Sequence, residues 1–195
     1  MGKKDLAEIL GIYLHPQAEW ERIKKTPSFS SGRFLKGVIV FCAISPISKF
    51  VGDLLTGSIR RPFYGLSWNV LTDYLFHSFV SYIFSISLAF LAVATISMAA
   101  KLFFSEKNAR STRILVYYSF IPYWVSGIFY LIPRIGGLLK IVLGLYTFYV
   151  LFLGFDSNLL NVPRNKIHKY FLFCSSVLIV IFAIMELLKL TLLFL

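Results

Sequence analysis

Two ionisable side chains, Glu186 and Lys189, stand inside a long apolar run, spaced i, i+3 so that they share a helical face. An ionisable residue at membrane depth is a functional candidate by default. Its chemistry would be to pair with its neighbour or to carry a proton or cation. A second group is hydroxylic: Ser119, Tyr123, Ser126 and Tyr130 recur at a near-heptad spacing around Pro122. Upstream, Ser78, Ser81, Tyr82 and Ser85 form a similar stripe. Such stripes either line a hydrated path or join helices through hydrogen bonds and close approach. Catalysis has no candidate, because no Ser, Cys or His stands beside a base at the spacing a nucleophile requires. His15, His77 and His168 are scattered, and Cys42 and Cys174 lie in apolar runs as small hydrophobes. No metal-ligand spacing, phosphate-cradling Gly loop or HExxH is present, so no cofactor is expected.

The elements that must hold these residues follow from composition. The 195 residues are 57% hydrophobic and 15% charged, against about 25% charged in an ordinary soluble domain. The apolar residues come in uninterrupted blocks, which excludes a soluble globule. Spans are expected over about 34–51, 74–100, 114–132, 135–155 and 170–192, each near the length that crosses a core of roughly 30 Å. Lipid offers backbone amides no partner, so each must be helical. The expected fold is all-α: one five-helix membrane bundle over residues 34–195.

Within it, Pro46 should kink the first span, and residues 52–73 read as a polar and aromatic connection. The third and fourth spans flank Pro133 with almost no loop, a transmembrane hairpin. Gly137 and Gly144, seven apart on one face, suggest close helix packing, with Tyr146 and Tyr149 further along. Lys36, Lys49 and Lys140 are expected to snorkel outward from their spans.

Residues 1–33 form a short arm. Leu6, Ile9, Leu10, Tyr13 and Leu14 make an amphipathic helix, and Pro16 suits the first turn of a second one ending near Lys25. Trp20 and Ile23 share a face of that second helix, with Lys24 and Lys25 beside it. A basic amphipathic segment before a span is expected to lie in the headgroup plane against anionic lipid. The N-terminus has no signal-peptide h-region.

The formal charge is +11. The bases cluster in short segments beside spans, where they set topology, so nucleic acid is not an expected partner. Fourteen of the twenty Lys and Arg residues fall in the arm through Lys36 and in connections 101–113 and 156–169. The other side holds Lys49, Arg60, Arg61, Arg134, Lys140 and Lys189. The positive-inside rule then expects a multi-pass cell-membrane protein with a cytoplasmic N-terminus and the C-terminus outside.

Two stretches resemble a known family. LHPQAEWERIKKTP, residues 14–27, is similar to the Pro-x-x-x-aromatic-x-x-Ile segment that precedes the first span in prokaryotic Yip1-domain proteins. SFIPYWVSGIFYLIPRIGGLLKIVLGLYTFYVLFLG, residues 119–154, resembles the family's Pro-containing third span, its second Pro at the hairpin, and its Gly-Leu-Tyr fourth span. The resemblance implies a cytosolic N-terminal segment, five spans and a non-enzymatic scaffold or adaptor in membrane organisation or trafficking-like processes. Its partners would be the bilayer and other membrane proteins or further copies of the chain. The acidic Asp-Leu-Tyr-Gly-Pro motif of the eukaryotic branch is absent, so no small-GTPase partner is carried over. The residues themselves leave an alternative: a small transporter or channel-like protein for ions or lipids, using the stripes of the second and third spans and Glu186.

Overall fold

A computed structural model of the chain describes residues 3–25, 29–60, 68–103, 109–132 and 135–194. Helix dominates, as the apolar runs demand. In chain order the α-helices are α1 (Lys3–Leu14), α2 (Pro16–Lys25), α3 (Ser31–Arg60), α4 (Trp68–Ala99), α5 (Ala109–Val125), α6 (Gly136–Asp156) and α7 (Ile167–Phe194). Tighter 3-10 turns extend α4 over Ala100–Phe103 and α5 over Ser126–Leu131, and one precedes α7 at Arg164–Lys166. Among the described residues five helices are long and apolar enough to cross a membrane: Ser31–Leu55, Val70–Phe103, Ala109–Leu131, Gly136–Asp156 and Arg164–Lys189.

The span edges differ from the sequence expectation for local reasons. The first span does not stop at 51, because Lys49 pairs with Asp53 at i, i+4 (2.6 Å) and α3 continues to Arg60. The expected connection over 52–73 shrinks accordingly, since α4 already begins at Trp68. Pro133 lies outside the described residues. At the end of α6, Asn158 takes a left-handed conformation (φ 57°), and the amides of Ser157 and Asn158 return to Leu153 and Phe155. That geometry stops the helix before α7.

The spans alternate in direction. One end of the bundle, here the arm end, carries the starts of α3, α5 and α7; the far end carries the α5–α6 hairpin. The central element is α5, whose span is 67% buried against 17% for α7. Its Tyr117, Tyr118, Phe120, Ile121 and Trp124 are all buried. Close approach is bought by Gly127, where a Cβ would lie 2.5 Å from the Ser45 backbone of α3.

The two arm helices fold back on each other and seat against α5 and α6. Trp20 turns to the bundle: it is 1% exposed and packs against Gly154. The buried face of α1 is rotated from the one expected. Glu8 and Ile12 are buried, whereas Leu10 and Leu14 are more than half exposed. The side chain of Leu6 lies outside the description.

Candidate functional site

The far half of the bundle encloses a cavity of about 80 Å³. One water needs about 10–15 Å³ of such volume, so several fit. Helical spacing explains its walls. On α4, His77, Ser81 and Ser85 recur at i, i+4, i+8 and face it; on α7, Phe182, Met185, Glu186 and Lys189 make one stripe. Ser45 and Lys49 come from α3, Tyr123 and Tyr130 from α5 and its 3-10 turn, and Lys140 from α6.

Lys140 does not snorkel outward. Its ammonium turns inward, donates to Ser45 Oγ at 3.0 Å, and stands 4.8 Å from the ring centroids of both Tyr123 and Tyr130. Two ring faces and a hydroxyl give the cation partners that lipid on the outer side of α6 lacks. Lys49 also turns to the cavity, held by Asp53. Glu186 and Lys189 form an ion pair, with side chains 40% and 20% exposed, which puts them at the cavity's edge. Of the three lysines, two therefore face a carboxylate at ion-pair distance. Lys140 faces none among the described residues.

The hydroxyl stripes divide. Tyr123, Tyr130, Ser81 and Ser85 reach the cavity. Ser126 Oγ donates to the Tyr123 carbonyl at 2.8 Å, within its own turn, and Tyr82 donates across to the Ile39 carbonyl of α3 at 3.1 Å. Ser119 is fully buried in the core, and its Oγ has no hydrogen-bond partner among the described residues; Ser78 is in the same state. Toward the arm end from Ser45, α3 and α5 pack three further rings against each other. Phe41 and Trp124 stack at 6.2 Å, and Tyr117 stands 6.0 and 6.4 Å from them.

The glycines singled out for packing sit loosely. A Cβ on Gly144 would lie 3.4 Å from Tyr123 and one on Gly137 3.8 Å from Tyr130, ordinary contacts that leave room for a methyl group.

A second polar cluster seats the arm. Glu8, 5% exposed, accepts from Arg33 Nη2 at 2.5 Å and from the Tyr118 hydroxyl at 2.7 Å. The Trp20 indole donates to the Val150 carbonyl at 3.1 Å. Tyr13 stacks on Tyr146 (6.3 Å, 13°) and donates to the Pro122 carbonyl at 3.4 Å, while Tyr146 donates back to the Tyr13 carbonyl at 3.2 Å. Pro122 lies eight residues beyond Ile114, so Tyr13 reaches about 12 Å along α5 from there. Burial, and next the nearby Tyr146, pushes the Tyr13 phenol up to about 12. The hydrogen bond that Arg22 Nε donates to Glu19 Oε1 holds the guanidinium pKa above its ordinary value. Lys24 reaches the Ser157 carbonyl at 2.9 Å, Lys25 is exposed, and Pro16 is half-buried at the turn between α1 and α2. Tyr149 is 48% exposed, beside Tyr146 at 5.5 Å.

Sequence reasoning did not assemble Lys140, Ser45, His77 and Lys49, nor Glu8 with Arg33 and Tyr118. The legible signal was an acid on the arm opposite a base at the start of the first span. Among the described residues no group of His, Cys, Asp or Glu is placed to hold a metal ion.

A family model described as Yip1 domain matches residues 10–186, from within α1 to Glu186. No curated protein and no solved structure matches the chain.

Proposed function

Since the chain belongs to the Yip1 domain family, we propose that it is a non-enzymatic membrane scaffold or adaptor whose working face is the arm end. The observation that carries this reading is the seating of the arm. Trp20, Glu8 and Tyr13 fasten it to α5 and α6, so arm and bundle present one preformed surface instead of a loose tail. That surface carries Lys24, Lys25 and Lys36, all exposed, which suit anionic headgroups or an acidic patch on another membrane protein. The distribution of basic residues favours a cytoplasmic arm end and a far end outside, in the cell membrane.

The transporter reading has the cavity in its favour and the ring layer against it. A solute moving from Ser45 toward the arm end between α3 and α5 would meet the packed rings of Phe41, Trp124 and Tyr117. Reconstituted protein should therefore pass neither ions nor lipids faster than empty vesicles, and flux above that level would replace the scaffold with a transporter. A pull-down from native membranes after mild solubilisation supplies the positive test. Partners retained by the wild type should be lost when Trp20→Ala frees the arm, and an unchanged partner set would refute the arm-end face.

A further inference from the structure

The far-end cavity has a charge imbalance that the scaffold reading leaves unused. Lys49 is matched by Asp53 and Lys189 by Glu186, so those four groups are neutral as pairs. Lys140 has one hydroxyl and two ring faces. An ammonium has three donors, and ring faces are weaker partners than an anion. A desolvated cation with no carboxylate at ion-pair distance is costly, and an anion entering the cavity offsets part of that cost.

We propose that the cavity binds a phosphate group on Lys140, presented by an anionic lipid headgroup or free in solution. Depth suits the lipid. Lys140 is four residues, about 6 Å, along α6 from its far-end start at Gly136, within reach of a headgroup. Donor chemistry suits phosphate, whose oxygens can each take a bond. Besides the ammonium and its Ser45 partner, the cavity is lined by Ser81, Tyr130 and His77, which can each offer a hydrogen bond. The space, enough for several waters, admits a small tetrahedral anion. One wall is apolar, with Leu88, Phe182 and Met185, and would take the start of an acyl chain.

The test uses the full-length chain in neutral detergent, titrated with phosphatidylglycerol, phosphatidylcholine or inorganic phosphate at matched ionic strength. Thermal stability and native mass spectrometry read the binding. Phosphatidylglycerol should stabilise the wild type, and phosphatidylcholine should not. Lys140→Met should weaken phosphatidylglycerol at least about tenfold, the loss expected for a hydrogen bond to a charged group. The variant Lys169→Met, which removes an exposed basic charge at the start of α7, should leave that affinity unchanged. A Lys140-dependent response to inorganic phosphate without one to phosphatidylglycerol assigns the site to the free anion. A response to both assigns it to the phosphate group itself. A second measurement needs no variant: phosphatidylglycerol should slow acylation of Lys140 in the wild type several-fold relative to phosphatidylcholine. Equal acylation rates in all three additions, or anion affinities indifferent to Lys140→Met, overturn the site.

Discussion

Replacing Trp20 by alanine should release the arm from the bundle. The indole is 1% exposed, lies where a Cβ on Gly154 would come within 2.7 Å of it, and donates to Val150 at 3.1 Å. A buried Trp covers about 150–250 Å², worth about 4–6 kcal/mol at about 25 cal/mol per Å². The lost N–H bond adds about 1 kcal/mol. A released indole recovers part of this at the headgroups, so a cost near the usual 3–5 kcal/mol for Trp→Ala is expected. At 1.4 kcal/mol per factor of ten, the undocked population rises at least about a hundredfold. Hydrogen exchange of the arm amides in nanodiscs reads this directly. Protection over residues 8–23 should fall about a hundredfold, or to the intrinsic rate if docking is weaker than that, while the buried amides of α5 stay protected. Trp20→Phe keeps most of the ring and loses the donor, so it should fall between the two. Equal exchange in wild type and Trp20→Ala would refute the argument, since the seating would then not depend on the buried indole.

Cysteine labelling with an impermeant reagent should find Lys101→Cys accessible from the cytoplasm and Asp73→Cys from outside; both on one side would refute the alternation of spans. Gly127→Leu should cost at least about 1–3 kcal/mol in detergent stability, because Ser45 backbone stands 2.5 Å from its Cβ position, whereas Gly144→Ala should be near neutral. The Tyr13 phenol, raised to about 12 from an ordinary value of 10.0, favours the docked arm only while neutral. Its contribution is complete below pH 10 and is lost as pH rises through 12, so arm exchange should accelerate across that window, and Tyr13→Phe should abolish the acceleration. Glu186→Gln should destabilise by about 1 kcal/mol or less, given its exposure, and adding Lys189→Met should recover most of it; strictly additive losses would mean that the two do not act as a pair.

The five spans were legible because a bilayer gives apolar blocks of this length a single solution for their backbone. Their ends were not. The Lys49–Asp53 pair that carries α3 past residue 51 reads equally well as a polar connection until the helix exists to place it at i, i+4. Lys140 shows the deeper limit. Outward snorkelling and inward turning use the same side-chain length, and the choice depends on Ser45, 95 residues away in sequence. The arm misled for a similar reason. Its most hydrophobic stripe includes Leu10 and Leu14, yet Glu8, seated by Arg33 and Tyr118, turns Ile12 inward instead. The paired Glu186 and Lys189 needed only their own helix, and were readable from spacing alone.

The seating of the arm sets a timetable for biosynthesis. Trp20 leaves the ribosome 130 residues before Val150, and Tyr13 leaves 133 before Tyr146. At about 5–20 residues per second, the arm must wait roughly 6–26 s for its acceptor helix to be made. During that interval Trp20 and Ile23 have no bundle to enter, and the headgroup layer or a chaperone is their only shelter. Docking can occur only once the fourth span is inserted in its correct orientation. A closed arm is therefore a mark that the first four spans have inserted, and a chain with an inverted hairpin would keep its arm open to quality-control proteases.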